Sequence, residues 1–304
     1  LKSTPLDHFF AKLLLFGEHT VLQGSPALAL PFPRFGGAWR FVPASEITSL
    51  QQALPQWLAY LQNLQQHGAL LADLNLDLFA QDLAAGIYFD SNIPTGYGTG
   101  SSGALCAALY ARYAREPFSK QDARGFPALK KTLGQLESFF HGASSGTDPL
   151  ICYLNHAVLL QPDGTIERVD VPVWPSNNTS IRFFLLDTGL VRSTEPLVQW
   201  FMACCAEPDF LTHIRQVHVP LTAKAIDLFL EGSWDELLVV FQKISAAQWA
   251  DFQTMIPAGF AGVWQEGLQS GRFALKLCGA GGGGFLLGMA ATEMDIPERS
   301  VLLM

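Results

Sequence analysis

The chain has 304 residues, enough for two domains of ordinary size. Hydrophobic residues make up 49% and charged residues 15%, a balance that supports a large core and argues against disorder. The net charge of -8 argues against nucleic acid as a partner, because a phosphate backbone calls for clustered Lys and Arg. A small phosphate ligand remains open, since backbone N–H groups bind one without net positive charge. The five cysteines are irregularly spaced with no CxxC, so reduced, buried thiols are expected rather than a disulfide framework. No stretch reaches the roughly 18 apolar residues of a membrane span, and no signal-like segment opens the chain. A cytoplasmic protein without a membrane partner is the expectation.

Residues 9–16 (FFAKLLLF) are a short Phe- and Leu-rich run followed by Gly17 and read as a strand. Residues 27–32 and 37–42 read as further strands of the same sheet. The spacing of Leu and Trp from Ile47 to Gly68 predicts a helix, and 86–90 predicts a strand. A Gly-rich loop, SNIPTGYGTGSSG, then leads into ALCAALYARYA, a strong helix former. A second helix is expected over 120–140 despite Pro127. After it, ICYLNHAVLLQ alternates as a hairpin does, and VDVPVWP and IRFFLLDTG read as strands. Prolines and asparagines at 172–178 mark a boundary, giving domains 1–174 and 175–304. Helical patterns fill 195–206, 210–231, 233–246 and 248–255. KLCGAGGGGFLLGMA is a Gly-rich turn between apolar segments. Strands and helices mix throughout, which predicts an α+β fold in two domains.

Four stretches carry residues suited to chemistry. The first runs from Pro94 to Gly103 and opens a helix. Its glycines allow positive φ and a close ligand, and the helix start offers free N–H donors and partial positive charge. Together these make a phosphate cradle, with serine hydroxyls that cap the helix or bind a cation. The lysine of a P-loop is absent, so taken alone the stretch fits a plain Gly-rich turn equally well. The second, Gly279-Ala280-Gly281-Gly282-Gly283-Gly284, is costly to order and suggests that something approaches its backbone; a tight turn between strands is the simpler use. In the third, Lys12 lies inside an apolar strand and must snorkel or face a polar site, with Glu18 and His19 following. The fourth joins Glu137, His141 and Asp148 through a Gly- and Ser-rich turn; singly, each acid fits a solvated surface or a cap.

In this order the four stretches resemble the GHMP kinases over most of the chain. Within that family, the GEHxVxxGxPALA and ExxxHGxxSGxD patterns are most similar to those of mevalonate kinases. The resemblance implies an α+β fold with an N-terminal mixed-sheet nucleotide-binding domain, a C-terminal α/β sandwich-like domain and an active site between them. It implies ATP and Mg²⁺ as cofactors and a small-molecule alcohol as substrate; a homodimer is compatible with it. Lys12 and Asp148 match the catalytic pair, with Asp148 accepting the proton of the alcohol and Lys12 keeping it ionised. Ser102 and Glu137 match the metal ligands. Pro94, Gly96, Gly98, Gly100, Ser101 and Ser102 would hold the ATP phosphates, and Gly281 and Gly282 would close against them. Glu18, His19, Thr194, Gly279 and Ala280 match the substrate side. The chain departs from the family at Thr99, where Leu is usual, at Gly103 for Ala, at Cys278 for Thr, and at Phe10-Ala11 for Pro-Gly. Other acceptors (a sugar, homoserine or phosphomevalonate) would share every phosphate motif. A diphosphomevalonate decarboxylase lacks the ExxxHGxxSGxD arrangement, and a silent relative would be expected to have lost one of Lys12, Glu137 and Asp148.

Three further features read as structure. His213 and His218 stand five apart with no third ligand evident nearby. Cys204-Cys205 lies in an apolar helix and reads as core. The aromatic residues of 241–264, among them Phe241, Trp249, Phe252, Phe260 and Trp264, stand at helical spacing and read as packing.

Overall fold

The computed structural model describes residues 7–42, 53–174, 181–191 and 195–303. Strand β1 (Phe9–Phe16) buries nearly its whole length, Lys12 included. Strand β2 (Ala27–Phe41) is one continuous strand where two were expected. Its first residues, Ala27–Ala29, pair antiparallel with β4 (Val158–Leu160), and its last, Gly37–Phe41, with β3 (Ile87–Ser91). Pro31 and Pro33 fall between those two pairings, where a missing N–H breaks neither of them; β1 is the strand's third partner. Strand β5 (Ile166–Arg168) continues from β4 as a short antiparallel partner.

Helix α1 (Ala53–Gln66) forms within the predicted span, whose start lies outside the described residues. Helix α2 (Leu76–Ala84) was not anticipated; Asn75 caps it by accepting from Leu78 N–H. Helix α3 (Ser101–Tyr113) follows the Gly-rich loop as expected. Helix α4 (Phe126–His141) starts later than predicted because Pro127 sits in its first turn, where its lack of an N–H costs nothing.

Two stretches expected as strands do not form as predicted. The segment read as a hairpin begins instead as helix α5 (Thr147–Leu154), so only Val158–Leu160 of it is strand. Left-handed Gly146 starts that helix, Pro149 suits its first turn, and left-handed Asn155 ends it. The described part of VDVPVWP forms no strand, since Pro172 removes a donor that a ladder needs. The boundary residues 175–178 lie outside the described residues.

The rest is β6 (Arg182–Asp187), α6 (Glu195–Cys205), α7 (Pro208–His213), a π-helical turn at Ile214–His218, α8 (Val219–Glu231), α9 (Trp234–Asp251), α10 (Ala261–Ser270), β7 (Phe273–Leu277), β8 (Phe285–Ala290) and β9 (Ser300–Leu302). The break expected after residue 246 is absent: Ala246-Ala247-Gln248 are good helix formers and α9 runs through them. Strands β7, β8, β6 and β9 lie side by side in that order, all antiparallel.

The chain divides into two compact units that do not follow a single cut. One takes Lys12 and the residues before it, Leu30–Pro94 and Thr99–His156; the other takes Leu13–Ala29, Thr95–Gly98 and the residues from Ala157 on. In the first unit, buried Trp39 and Trp57 donate their indole N–H groups to Ala108 O at 3.0 Å and Leu136 O at 3.1 Å. These bonds fix α3 and α4, the helices that carry Ser102 and Glu137. In the second, Phe184, Phe201, Phe252, Trp264 and Phe273 belong to one buried cluster, which bears out the aromatic stretch as packing. All five cysteines are free thiols, and only Cys204 is not buried. Among the described residues no helix is long and apolar enough to cross a membrane.

Candidate active site

Within the first unit, Lys12 Nζ lies 2.9 Å from Asp148 Oδ1. The lysine is almost fully buried and the aspartate about one-third exposed, so the pair opens on its carboxylate side. Local structure fixes both partners. The Lys12 N–H donates to Thr99 O at 2.9 Å, which ties β1 to the Gly-rich loop. Gly100, at φ +80°, is the residue before α3, and a Cβ there would stand 2.9 Å from Lys12 Cγ. A side chain at 100 would therefore be strained in backbone and would displace the lysine. Asp148 sits in the first turn of α5. That helix lies so close to α3 that a Cβ on Gly103 would come within 2.9 Å of the Asp148 backbone. This accounts for glycine at 103: alanine would push α5, and Asp148 with it, away from the lysine.

Ser102 Oγ donates to Glu137 Oε1 at 2.8 Å and stands 2.9 Å from His141 Nε2. With the hydroxyl proton on the Glu137 bond, His141 is the donor to Ser102. Ser144 Oγ donates to Glu137 Oε2 at 2.5 Å and accepts from Gly146 N–H at 3.0 Å. Burial and the nearby Asp148 carboxylate push the Glu137 carboxyl up to about 7, against the pull of the Ser144 and Ser102 hydroxyls and Lys12. Two crowded carboxylates and a serine hydroxyl form a hard-oxygen donor set that fits Mg²⁺, whose charge would relieve the repulsion. Neither serine caps α3, which has no side-chain cap and no acid in its first turn. Its leading N–H groups are therefore open to an anion.

Within the second unit, Glu18 and Lys276 are both buried and form an ion pair, Nζ to Oε1 2.6 Å. Gln248 Nε2 donates to the same oxygen at 2.8 Å, and Gln248 Oε1 accepts from Leu277 N–H at 2.8 Å. Lys276 Nζ also donates to Leu277 O at 2.8 Å. Burial pushes the Glu18 carboxyl up, and the Lys276 ammonium opposes that. His19 Nε2 lies 3.1 Å from Ala280 O. Glu18, through Lys276 and Gln248, thus holds the end of β7, and His19 holds Ala280 in the turn that follows. The Gly-rich run itself is tightly packed: Gly282 N–H donates to Met255 O and Gly284 N–H to Leu190 O. A Cβ on Gly284 would stand 2.6 Å from Tyr97 O. In this structure the groups that approach its backbone belong to the chain itself.

Residues 64–156, which contain α3, α4 and α5, match the family described as GHMP kinases N terminal domain. The mevalonate kinase of Archaeoglobus fulgidus is 24% identical over 287 residues, covering 93% of this chain and 91% of that protein. The chain carries a GHMP kinase domain on a GHMP kinase fold. Among solved structures, L. major mevalonate kinase in complex with R-mevalonate superposes with a TM-score of 0.62 at 16% identity, covering 96% of this chain and 89% of that one. Streptococcus pneumoniae phosphomevalonate kinase in complex with phosphomevalonate and AMPPNP gives 0.62 at 16% identity, covering 96% and 94%.

On that fold, the structure brings together Lys12, Asp148, Gly100, Ser102 and Glu137, and separately Glu18, His19 and Ala280 with Lys276. Pro94 and Ser101 flank the same GHMP loop, in which Gly96 and Gly98 take positive φ. Gly279, Gly281 and Gly282 lie in the packed turn, and Thr194 lies outside the described residues. Sequence reasoning missed Ser144, Gln248 and the pairing of Lys276. The signal for Lys276 was present: like Lys12, it is a single lysine in an apolar strand.

The buried pair yields a stability prediction. Lys276→Met leaves the Glu18 charge without its partner and should cost about 3–5 kcal/mol. The double variant Glu18→Gln/Lys276→Met should recover most of that loss. Chemical denaturation of wild type, single and double variants measures it; a single variant as stable as wild type contradicts the pair's anchoring role.

Proposed function

We propose that the chain is an ATP-dependent kinase that phosphorylates a small-molecule alcohol, converting mevalonate to 5-phosphomevalonate. The observation that carries this reading is the Lys12–Asp148 pair, 2.9 Å apart and set beside the uncapped start of α3. A carboxylate reachable from solvent and backed by a buried ammonium is suited to take a hydroxyl proton. The N–H groups at the start of α3, with Gly96, Gly98 and Gly100, bind the phosphates, and Pro94 and Ser101 shape that loop. Ser102 and Glu137 would hold Mg²⁺, which supplies charge neutralisation at the phosphoryl oxygens.

The chemistry balances with this chain's own groups. Asp148 takes the hydroxyl proton as the acceptor oxygen bonds to the γ-phosphorus. The bond from that phosphorus to the β–γ bridging oxygen breaks, and ADP leaves with the electron pair. Lys12 orients Asp148 and offsets negative charge as the oxygen reacts. On the acceptor side we place His19, Gly279, Ala280 and Thr194, with Glu18 as a positioning residue that anchors the turn through Lys276. Gly281 and Gly282 shape the same turn. Mevalonate is preferred because the GEHxVxxGxPALA and ExxxHGxxSGxD patterns resemble those of mevalonate kinases and the Archaeoglobus fulgidus relative bears that name. Both substrates are charged and water-soluble, so we place the reaction in the cytoplasm, where the free thiols also stay reduced.

A coupled ADP-release assay over mevalonate, phosphomevalonate, galactose and homoserine tests the acceptor. The highest kcat/KM should fall on mevalonate; a higher value for another alcohol replaces it. In the same assay Asp148→Asn should lower kcat by roughly 10²–10⁴ while affinity for a non-hydrolysable ATP analogue persists. Near-wild-type turnover would remove Asp148 as the base.

A further inference from the structure

Residues five apart on an α-helix point to different faces, so the spacing of His213 and His218 does not by itself make a site. The structure changes that geometry. The chain between α7 and α8 is a π-helical turn, Ile214–His218, and its i→i+5 pattern brings residues five apart into line. Both imidazoles converge on a third residue 33 or more positions away: Nε2 of His213 is 2.9 Å and Nε2 of His218 2.7 Å from Asp251 Oδ2. The third ligand that the sequence did not reveal is therefore Asp251. All three donor atoms lie within 4.8 Å of one another.

Two further observations point to a cation. Asp251 is the last residue of α9, an 18-residue helix with no basic residue in its last turn. A carboxylate at a helix C-terminus adds to the negative end of the dipole, a place that favours positive charge. His218 is buried and stacked on Phe252, ring centroids 4.7 Å apart. The stacked ring is held in one orientation, with Nε2 aimed at Asp251. His213 is exposed and gives access from solvent.

We propose that His213, His218 and Asp251 form a binding site for a divalent transition-metal ion of the Zn²⁺ type. Two imidazoles and a carboxylate suit such an ion and do not suit Mg²⁺, which takes oxygen ligands. Binding takes each ring in its neutral form, with the proton on Nδ1 and Nε2 presented to the metal. Ligand bonds of about 2.1 Å set neighbouring donors about 3.0–3.4 Å apart, so the two His–Asp distances, 2.9 and 2.7 Å, need to open by less than about 1 Å. The ion ties the π-helical turn to the end of α9 and leaves coordination positions for water. The site is independent of the kinase assignment.

The test uses the full-length protein after chelator treatment, titrated with ZnCl₂ or MgCl₂ and followed by calorimetry and thermal melting. One Zn²⁺ per chain should bind and raise the melting temperature; Mg²⁺ at the same concentration should not. His213→Ala, which removes an exposed side chain, should fold normally and lose more than the roughly tenfold affinity that removal of an outer partner costs a metal site. Cys204→Ala should leave affinity unchanged, which separates this site from thiol binding. Absence of Zn²⁺ binding, or equal affinity in His213→Ala, overturns the proposal.

Discussion

An ammonium group withdrawn from water needs an anion beside it, and Lys12 finds that anion in Asp148. Much of the first unit serves to keep the two together. Thr99 holds the lysine's backbone, Gly100 leaves room for its side chain, and Gly103 lets α5 approach close enough to present the aspartate. Trp39 and Trp57 fix α3 and α4 from behind. The start of α3 and the Lys12–Asp148 pair are thus one construction. A residue that widened the α3–α5 contact would alter both at once.

The second unit repeats the device for a different end. Glu18 and Lys276 are also buried and paired, but neither faces solvent. Their bonds, with those of Gln248, run into the backbone of the strand that enters the Gly-rich turn. One buried pair is left partly open to solvent, and the other is closed and holds a loop. The exposure of the carboxylate distinguishes them: about one-third for Asp148 and almost none for Glu18.

Much of this was legible in the sequence where the signal was local. The loop before α3, the lysine strand β1 and the α+β class follow from composition, glycine placement and periodicity. The failures have physical causes. ICYLNHAVLLQ carries apolar residues at spacings that suit helix or strand, and the deciding features, Gly146 and Pro149, lie just before it. The single strand β2 was read as two, yet its prolines fall between its β4 and β3 pairings and interrupt neither. Partnerships across long separations left no local mark: Gln248 and Asp251 look like ordinary helix residues until the fold brings Glu18 and the two histidines to them.

The central claim is that the Lys12–Asp148 pair performs phosphoryl transfer to an alcohol. Quenched-flow single-turnover measurement on Lys12→Met, preloaded with Mg-ATP and mixed with mevalonate, tests it most directly. The account predicts a transfer rate lower by roughly 10²–10³ in a variant that still melts cooperatively and still binds the ATP analogue. A transfer rate within about twofold of wild type would contradict it, because a group acting on the reacting oxygen cannot be removed without raising the barrier.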